Sequence, residues 1–288
     1  MKLSGKRDAP IGIFDSGLGG LTVLREIIRL LPGENTIYLG DTARVPYGIR
    51  SPEVVTRYSL DNVRFLISKG VKMLVVACNT ASALSLESIR REVPEAAVIG
   101  VIDPGARAAL SATANRRIGV IGTDATIKSG AYSRALLARS PEARIFARPC
   151  PLFVPLVEEG WTENQMAVLA AGEYLNALKR ENIDTLLLGC THYPLLKKTI
   201  GAVMGEGVRL IDSGEETAKA IKKALEEGGI AREGDGPATR SFYVTDSPEK
   251  FKLLAGRFLG EHCRESGGAC AGEIKLLEVL DEAGWKEK

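Results

Sequence analysis

Two stretches of this chain follow one plan. Met73–Leu74–Val75–Val76–Ala77 runs into Cys78–Asn79–Thr80, and Leu186–Leu187–Leu188–Gly189 runs into Cys190–Thr191–His192. In each, an apolar run ends in a small residue, and a thiol followed by polar side chains comes next. A parallel strand buried on both faces needs such an unbroken apolar run. In an open α/β sheet, ligands bind beyond the carboxyl ends of the strands. Both cysteines are therefore expected at such an edge, 112 residues apart in the chain.

The segments before each thiol extend the repeat. Ile11–Gly12–Ile13–Phe14 predicts a first strand that runs into Asp15–Ser16–Gly17–Leu18–Gly19–Gly20, then a helix over 21–31. Ile118–Gly119–Val120–Ile121–Gly122–Thr123 echoes it. The interval from Asp15 to Cys78 is 63 residues and that from Thr123 to Cys190 is 67. Near-equal spacing of like elements points to two similar halves. Strands are expected over 36–39, 71–77, 97–102, 144–148, 185–188 and 208–211, and helices over 52–69, 81–93, 128–138 and 163–181. Asp103 reads as the N-cap of a helix with Pro104 at its first position. After a Gly- and charge-rich loop over 228–239, a strand at 241–245, a helix at 248–260 and a strand at 274–279 are expected to return to the first half and complete its sheet.

The fold class is thus α/β: two pseudo-symmetric three-layer α/β/α domains with mostly parallel sheets and the active site between them. The first domain comprises residues 1–102 with 212–288, the second 103–211. With 288 residues the chain has length for both. A net charge of +2 argues against nucleic acid as a partner. No run of about 18 apolar residues predicts a membrane span, and no signal-peptide core follows the charged first ten residues. A cytoplasmic location is expected.

The Gly-rich turn after Asp15 matches neither dinucleotide nor P-loop spacing. Its backbone N–H groups suit an anion, and Asp15 suits an ammonium. An amino acid carries both, although a plain tight turn reads equally well. Five scattered cysteines form no disulfide framework. Cys150 and Cys263 read as small buried hydrophobes. His262, Cys263 and Cys270 fall close together without the spacing of a zinc site, and no metal is expected.

A thiol between a strand and a helix N-terminus should have its pKa drawn below about 8.5. Two such thiols can form a redox pair, hold a metal, or act as base and acid. Redox dithiols usually share one C-x-x-C loop, and the neighbouring groups are mostly amide and hydroxyl. Base and acid on opposing halves would invert a tetrahedral carbon, since a proton leaves one face and arrives at the other. Asp15 is placed to assist Cys78, and His192 to assist Cys190.

These motifs, with Asp41–Thr42–Ala43–Arg44–Val45–Pro46–Tyr47–Gly48, Ala81–Ser82, Tyr193–Pro194 and residues 151–159, resemble those of the bacterial glutamate racemases of the aspartate/glutamate racemase superfamily. The likeness runs from about Ile11 to Ser213. It implies interconversion of L- and D-glutamate with no cofactor, supply of D-glutamate for peptidoglycan, and a homodimer. It implies that Cys78 takes the α-proton of D-glutamate and Cys190 that of L-glutamate. Asp15, His192 and a carboxylate in 156–159, Glu158 in preference to Glu159, would assist. Asp15, Ser16, Tyr47, Gly48, Asn79, Thr80, Thr191 and His192 would hold the substrate. An aspartate or hydantoin racemase, or a non-catalytic amino-acid binding protein, is the alternative reading.

Overall fold

A computed structural model describes residues 7–234, 236–260, 274–280 and 284–287. The described strands are β1 (Ile11–Asp15), β2 (Thr36–Gly40), β3 (Met73–Val76), β4 (Ala97–Gly100), β5 (Arg117–Gly122), β6 (Arg144–Pro149), β7 (Thr185–Gly189), β8 (Arg209–Asp212), β9 (Arg240–Val244), β10 (Ile274–Leu280) and β11 (Gly284–Glu287). They form a sheet in the order β11-β10-β9-β2-β1-β3-β4 and a second in the order β6-β5-β7-β8. All pairings are parallel except β10 with β11.

The repeat is visible in these orders. β2-β1-β3-β4 in one sheet corresponds to β6-β5-β7-β8 in the other. β3 and β7 therefore hold equivalent places, and Cys78 and Cys190 follow them. Both strands are fully buried along their length, as their unbroken apolar sequence requires. β9 and β10 extend the first sheet beside β2.

Helices pack on these sheets: α1 (Leu21–Leu30), α2 (Pro52–Ser68), α3 (Asn79–Glu92), α4 (Ile102–Ala112), α5 (Asp124–Lys128), α6 (Ala131–Leu137), α7 (Phe153–Glu158), α8 (Gln165–Arg180), α9 (Lys197–Met204), α10 (Ser213–Glu227) and α11 (Pro248–Leu259). Three local readings are corrected. Asp103 is no N-cap: α4 starts two residues earlier than expected, at Ile102 behind Val101, which makes no side-chain cap bond. Asp103 pairs instead with Arg107 at 3.5 Å and with Arg139. The helix expected over 128–138 starts only at Ala131, because Gly130 takes φ +66 and separates it from the short helix that ends at Lys128. After Cys190 comes a 3-10 turn, Tyr193–Leu196, before α9 begins. The cluster of His262, Cys263 and Cys270 lies outside the described residues. Among the described residues, no helix is long and apolar enough to cross a membrane.

A buried ion pair joins the segments that lead into β2 and β3. Lys72 Nζ lies 2.6 Å from Glu34 Oε2, and both side chains are almost wholly enclosed. The ammonium also donates to the carbonyls of Arg7 and Ile230, at 2.7 and 2.9 Å, and Arg232 N donates to Glu34 Oε1 at 2.8 Å. Removing one partner strands the other charge in the interior, which costs about 3–5 kcal/mol. Lys72→Met is expected to lower the thermal midpoint sharply, and Glu34→Gln in the same chain to restore most of it. Calorimetry of the three proteins checks this.

Candidate active site

A cavity of about 150 Å³ opens where the carboxyl edges of the two sheets meet. Ser16, Tyr47, Gly48, Cys78, Asn79, Thr80, Cys190, Thr191 and His192 all line it. Asp15 is fully buried beneath them, and Glu158 stands behind His192.

On the first half, Cys78 is the N-cap of α3. Its Sγ accepts from Ala81 N at 3.4 Å and donates to Ser16 Oγ at 3.7 Å. The helix terminus does not win, however. Burial, reinforced by the nearby Asp15 charge, pushes the Cys78 thiol up to about 12. The expected lowering is therefore corrected: desolvation of a thiolate outweighs one helix end. Asp15 is itself raised by burial, partly offset by His192 and by the N–H groups of Gly20 and Gly17. The sign of its effect on Cys78 is testable. Asp15→Asn removes the raising charge, so Cys78 should alkylate faster than in the parent at pH 8. Iodoacetamide labelling followed by peptide mass spectrometry reads this.

On the second half, no α-helix starts at the thiol. Cys190 Sγ is 4.0 Å from His192 Nδ1, and His192 Nε2 is 3.3 Å from Glu158 Oε1. Burial alone would lower the imidazole's pKa. The hydrogen bonds to Cys190 and Glu158, with the charges of Cys190 and Asp15, overcome it and push His192 up to about 10. Glu158 is correspondingly held below the usual carboxylate range by its bond to His192. Glu159 is exposed; Glu158 alone of the pair is recorded in contact with the imidazole.

The halves are bonded across the cavity. Thr22 Oγ1 in α1 donates to Thr191 O at 2.8 Å. Thr80 Oγ1 lies 3.0 Å from the hydroxyls of both Thr123 and Thr126. Asn79 Nδ2 donates to Tyr132 OH at 2.7 Å. The loop carrying Tyr47 and Gly48 is fixed by Asp41, which accepts from Arg44 Nε at 2.8 Å, from Thr245 Oγ1 at 3.0 Å and from Tyr47 OH. The Tyr47 hydroxyl also accepts from Asn62 Nδ2 at 3.1 Å. Already committed, it leaves ring and backbone to face the cavity.

Sequence reasoning did not single out Val45, Pro46, Ile49, Thr123, Asp124, Pro151, Val154 and Pro155 as lining residues. Thr123 was findable, since it occupies in the second half the place of Ser16 in the first. The apolar ones carry no chemical signal that separates them from ordinary loop residues.

Comparisons with known proteins identify the family. The family model described as Asp/Glu/Hydantoin racemase matches residues 11–221. The chain is 54% identical over 250 residues to a glutamate racemase of Geobacter metallireducens, covering 87% of this chain and 92% of the relative. A crystal structure of a glutamate racemase isoform from Bacillus anthracis superposes with a TM-score of 0.85 at 42% identity, over 88% of this chain and 95% of that one. A glutamate racemase from Francisella tularensis, solved in complex with D-glutamate, gives 0.83 at 38% identity, over 88% and 94%. The fold and these relatives define an amino-acid racemase, an isomerase. The chain belongs to the Asp/Glu/Hydantoin racemase family.

Proposed function

We propose that this protein racemises glutamate without a cofactor by a two-thiol proton transfer. The observation that carries the reading is the pair Cys78 and Cys190, placed after equivalent strands and lining one cavity. A thiolate on one side takes the α-proton, leaving a planar carbanion stabilised as the enediolate of the α-carboxylate. The thiol on the other side returns a proton to the opposite face. Cys78 works on D-glutamate and Cys190 on L-glutamate. Asp15 and Ser16 attend Cys78; His192, oriented by Glu158, attends Cys190. Ser16, Asn79, Thr80, Thr191 and the Tyr47–Gly48 loop hold the substrate's polar ends.

Substrate binding is what brings the first thiol into range. Cys78 is a poor base while its thiolate faces Asp15 in a dry site. An ammonium bound beside Asp15 neutralises that carboxylate and favours the thiolate. The choice of glutamate is supported by the named relatives. From the motif resemblance alone, the protein is further read as a cytoplasmic homodimer that supplies D-glutamate to peptidoglycan. The test is incubation with L-glutamate in D2O with no added cofactor. Loss of optical rotation with one deuterium at the α-carbon of the product is expected. Unchanged rotation and no deuterium would sink the reading, and faster turnover of aspartate would reassign the substrate.

A further inference from the structure

His192 is held from a direction the catalytic motifs do not reveal. Its ring meets Phe258 edge to face, with centroids 5.3 Å apart and planes at 85°. Phe258 is fully buried and lies in α11. The next residue back, Arg257, donates from Nη1 to Glu158 O at 2.8 Å. Gly160, at φ +78, keeps the space open: a Cβ there would sit 3.1 Å from the Arg257 guanidinium carbon. α11 follows β9, which belongs to the first sheet, whereas Glu158 and His192 belong to the half built on the second. Arg25 of α1 ties the end of α11 down, donating to Phe258 O at 3.5 Å.

We infer that Phe258 and Arg257 are positioning residues for the His192–Glu158 pair, supplied to one half's acid–base machinery by the other half. His192 reaches Cys190 through Nδ1 and Glu158 through Nε2, so the ring must hold one plane to serve both. Phe258 fixes the ring's tilt. Arg257 fixes the backbone at the end of α7, from which the Glu158 side chain projects. The Cys190 side is then competent only while the two halves are docked through α11. On the Cys78 side, the two groups bonded to the thiol, Ser16 and Ala81, come from the same half as the thiol.

This inference rests on the two-thiol reading, and its test separates the two. Phe258→Ala and Arg257→Met are compared with Cys190→Ala and His192→Ala, each assayed with L-glutamate. A displacement of about 1 Å in acid–base geometry costs up to about a hundredfold. Phe258→Ala is expected to lose roughly ten- to a hundredfold in kcat, with KM within about threefold, and Phe258→Leu to recover only part. Arg257→Met should lose less, and Arg257→Lys should restore it. The second readout is the titration of His192 by NMR in a His262→Gln background, His262 being the chain's other histidine. The charged groups around His192 are Cys190, Asp15 and Glu158, with Arg257 and Lys250 of α11 adjoining Glu158. Loss of a nearby positive charge alone would move the titration up; if Arg257 positions Glu158, Arg257→Met should instead move it down, toward that of Glu158→Gln. If Cys190→Ala keeps turnover, the two-thiol reading fails and the inference with it. If Cys190→Ala and His192→Ala are inactive, yet Arg257→Met and Phe258→Ala keep parental kcat and titration, the positioning role is wrong and the racemase reading stands. Should Phe258→Ala not fold, the exposed Arg257→Met decides alone.

Discussion

Cys78→Ala and Cys190→Ala are each expected to reduce racemisation of glutamate by about a thousandfold or more. A positioned acid or base contributes roughly 10²–10⁴ to rate, and inversion needs both in one turnover. Groups that act as a unit are strongly non-additive. The double variant should therefore be scarcely slower than either single one. The substitutions remove one sulfur from sites that are 5% and 6% exposed, so the fold should survive, and near-unchanged melting would confirm it. Isotope exchange distinguishes the two sides. In D2O, Cys190→Ala retains only Cys78, so any residual α-deuterium should enter D-glutamate and not L-glutamate. Cys78→Ala should show the reverse. Exchange of both enantiomers by one variant, or turnover above about a tenth of the parent's, would show that a single base suffices.

Much of this was readable from residues because the chemistry sits where the fold leaves a signature. A strand buried on both faces has no room for polar residues. The first ones after Val76 and Gly189 therefore announce the sheet edge, and the thiols are among them. The matching intervals gave the pseudo-symmetry. What stayed hidden depends on tertiary context. Asp103–Pro104 has the composition of a cap, yet α4 begins before it, with Val101 as an αR cap residue and Ile102 already helical. The Cys78 titration could not be inferred, since a helix end is local in sequence but burial is not. Phe258 reads as one more apolar position in an amphipathic helix, and nothing in residues 248–259 tells which half it will face. Glu158 and Glu159 are adjacent and chemically alike; only the turn of α7 sets one toward His192.

Gly19 also escaped a functional reading, and its replacement should rank with loss of a thiol. Residues 15–20 looked like a glycine-rich anion turn. In the structure, Gly19 is where the first half makes room for the second half's site. A Cβ there would lie 2.1 Å from Thr191 Oγ1 and 2.5 Å from His192 Nδ1. Neither neighbour can step aside cheaply. Thr191 is stiff at χ1, and its carbonyl is bonded to Thr22. The His192 ring is held by Glu158 and Phe258. The loop 190–192 must move as a block, taking Cys190 with it, and about 1 Å of such movement costs on the order of a hundredfold. Gly19→Ala is therefore expected to lose at least about a hundredfold in kcat/KM. Gly33→Ala, where an added Cβ meets nothing within 4 Å, should behave as the parent. Steady-state rates for the pair decide it. A Gly19→Ala enzyme within threefold of the parent would mean that the two halves can separate at no cost to catalysis, and the docked geometry of His192 against Cys190 would lose its role.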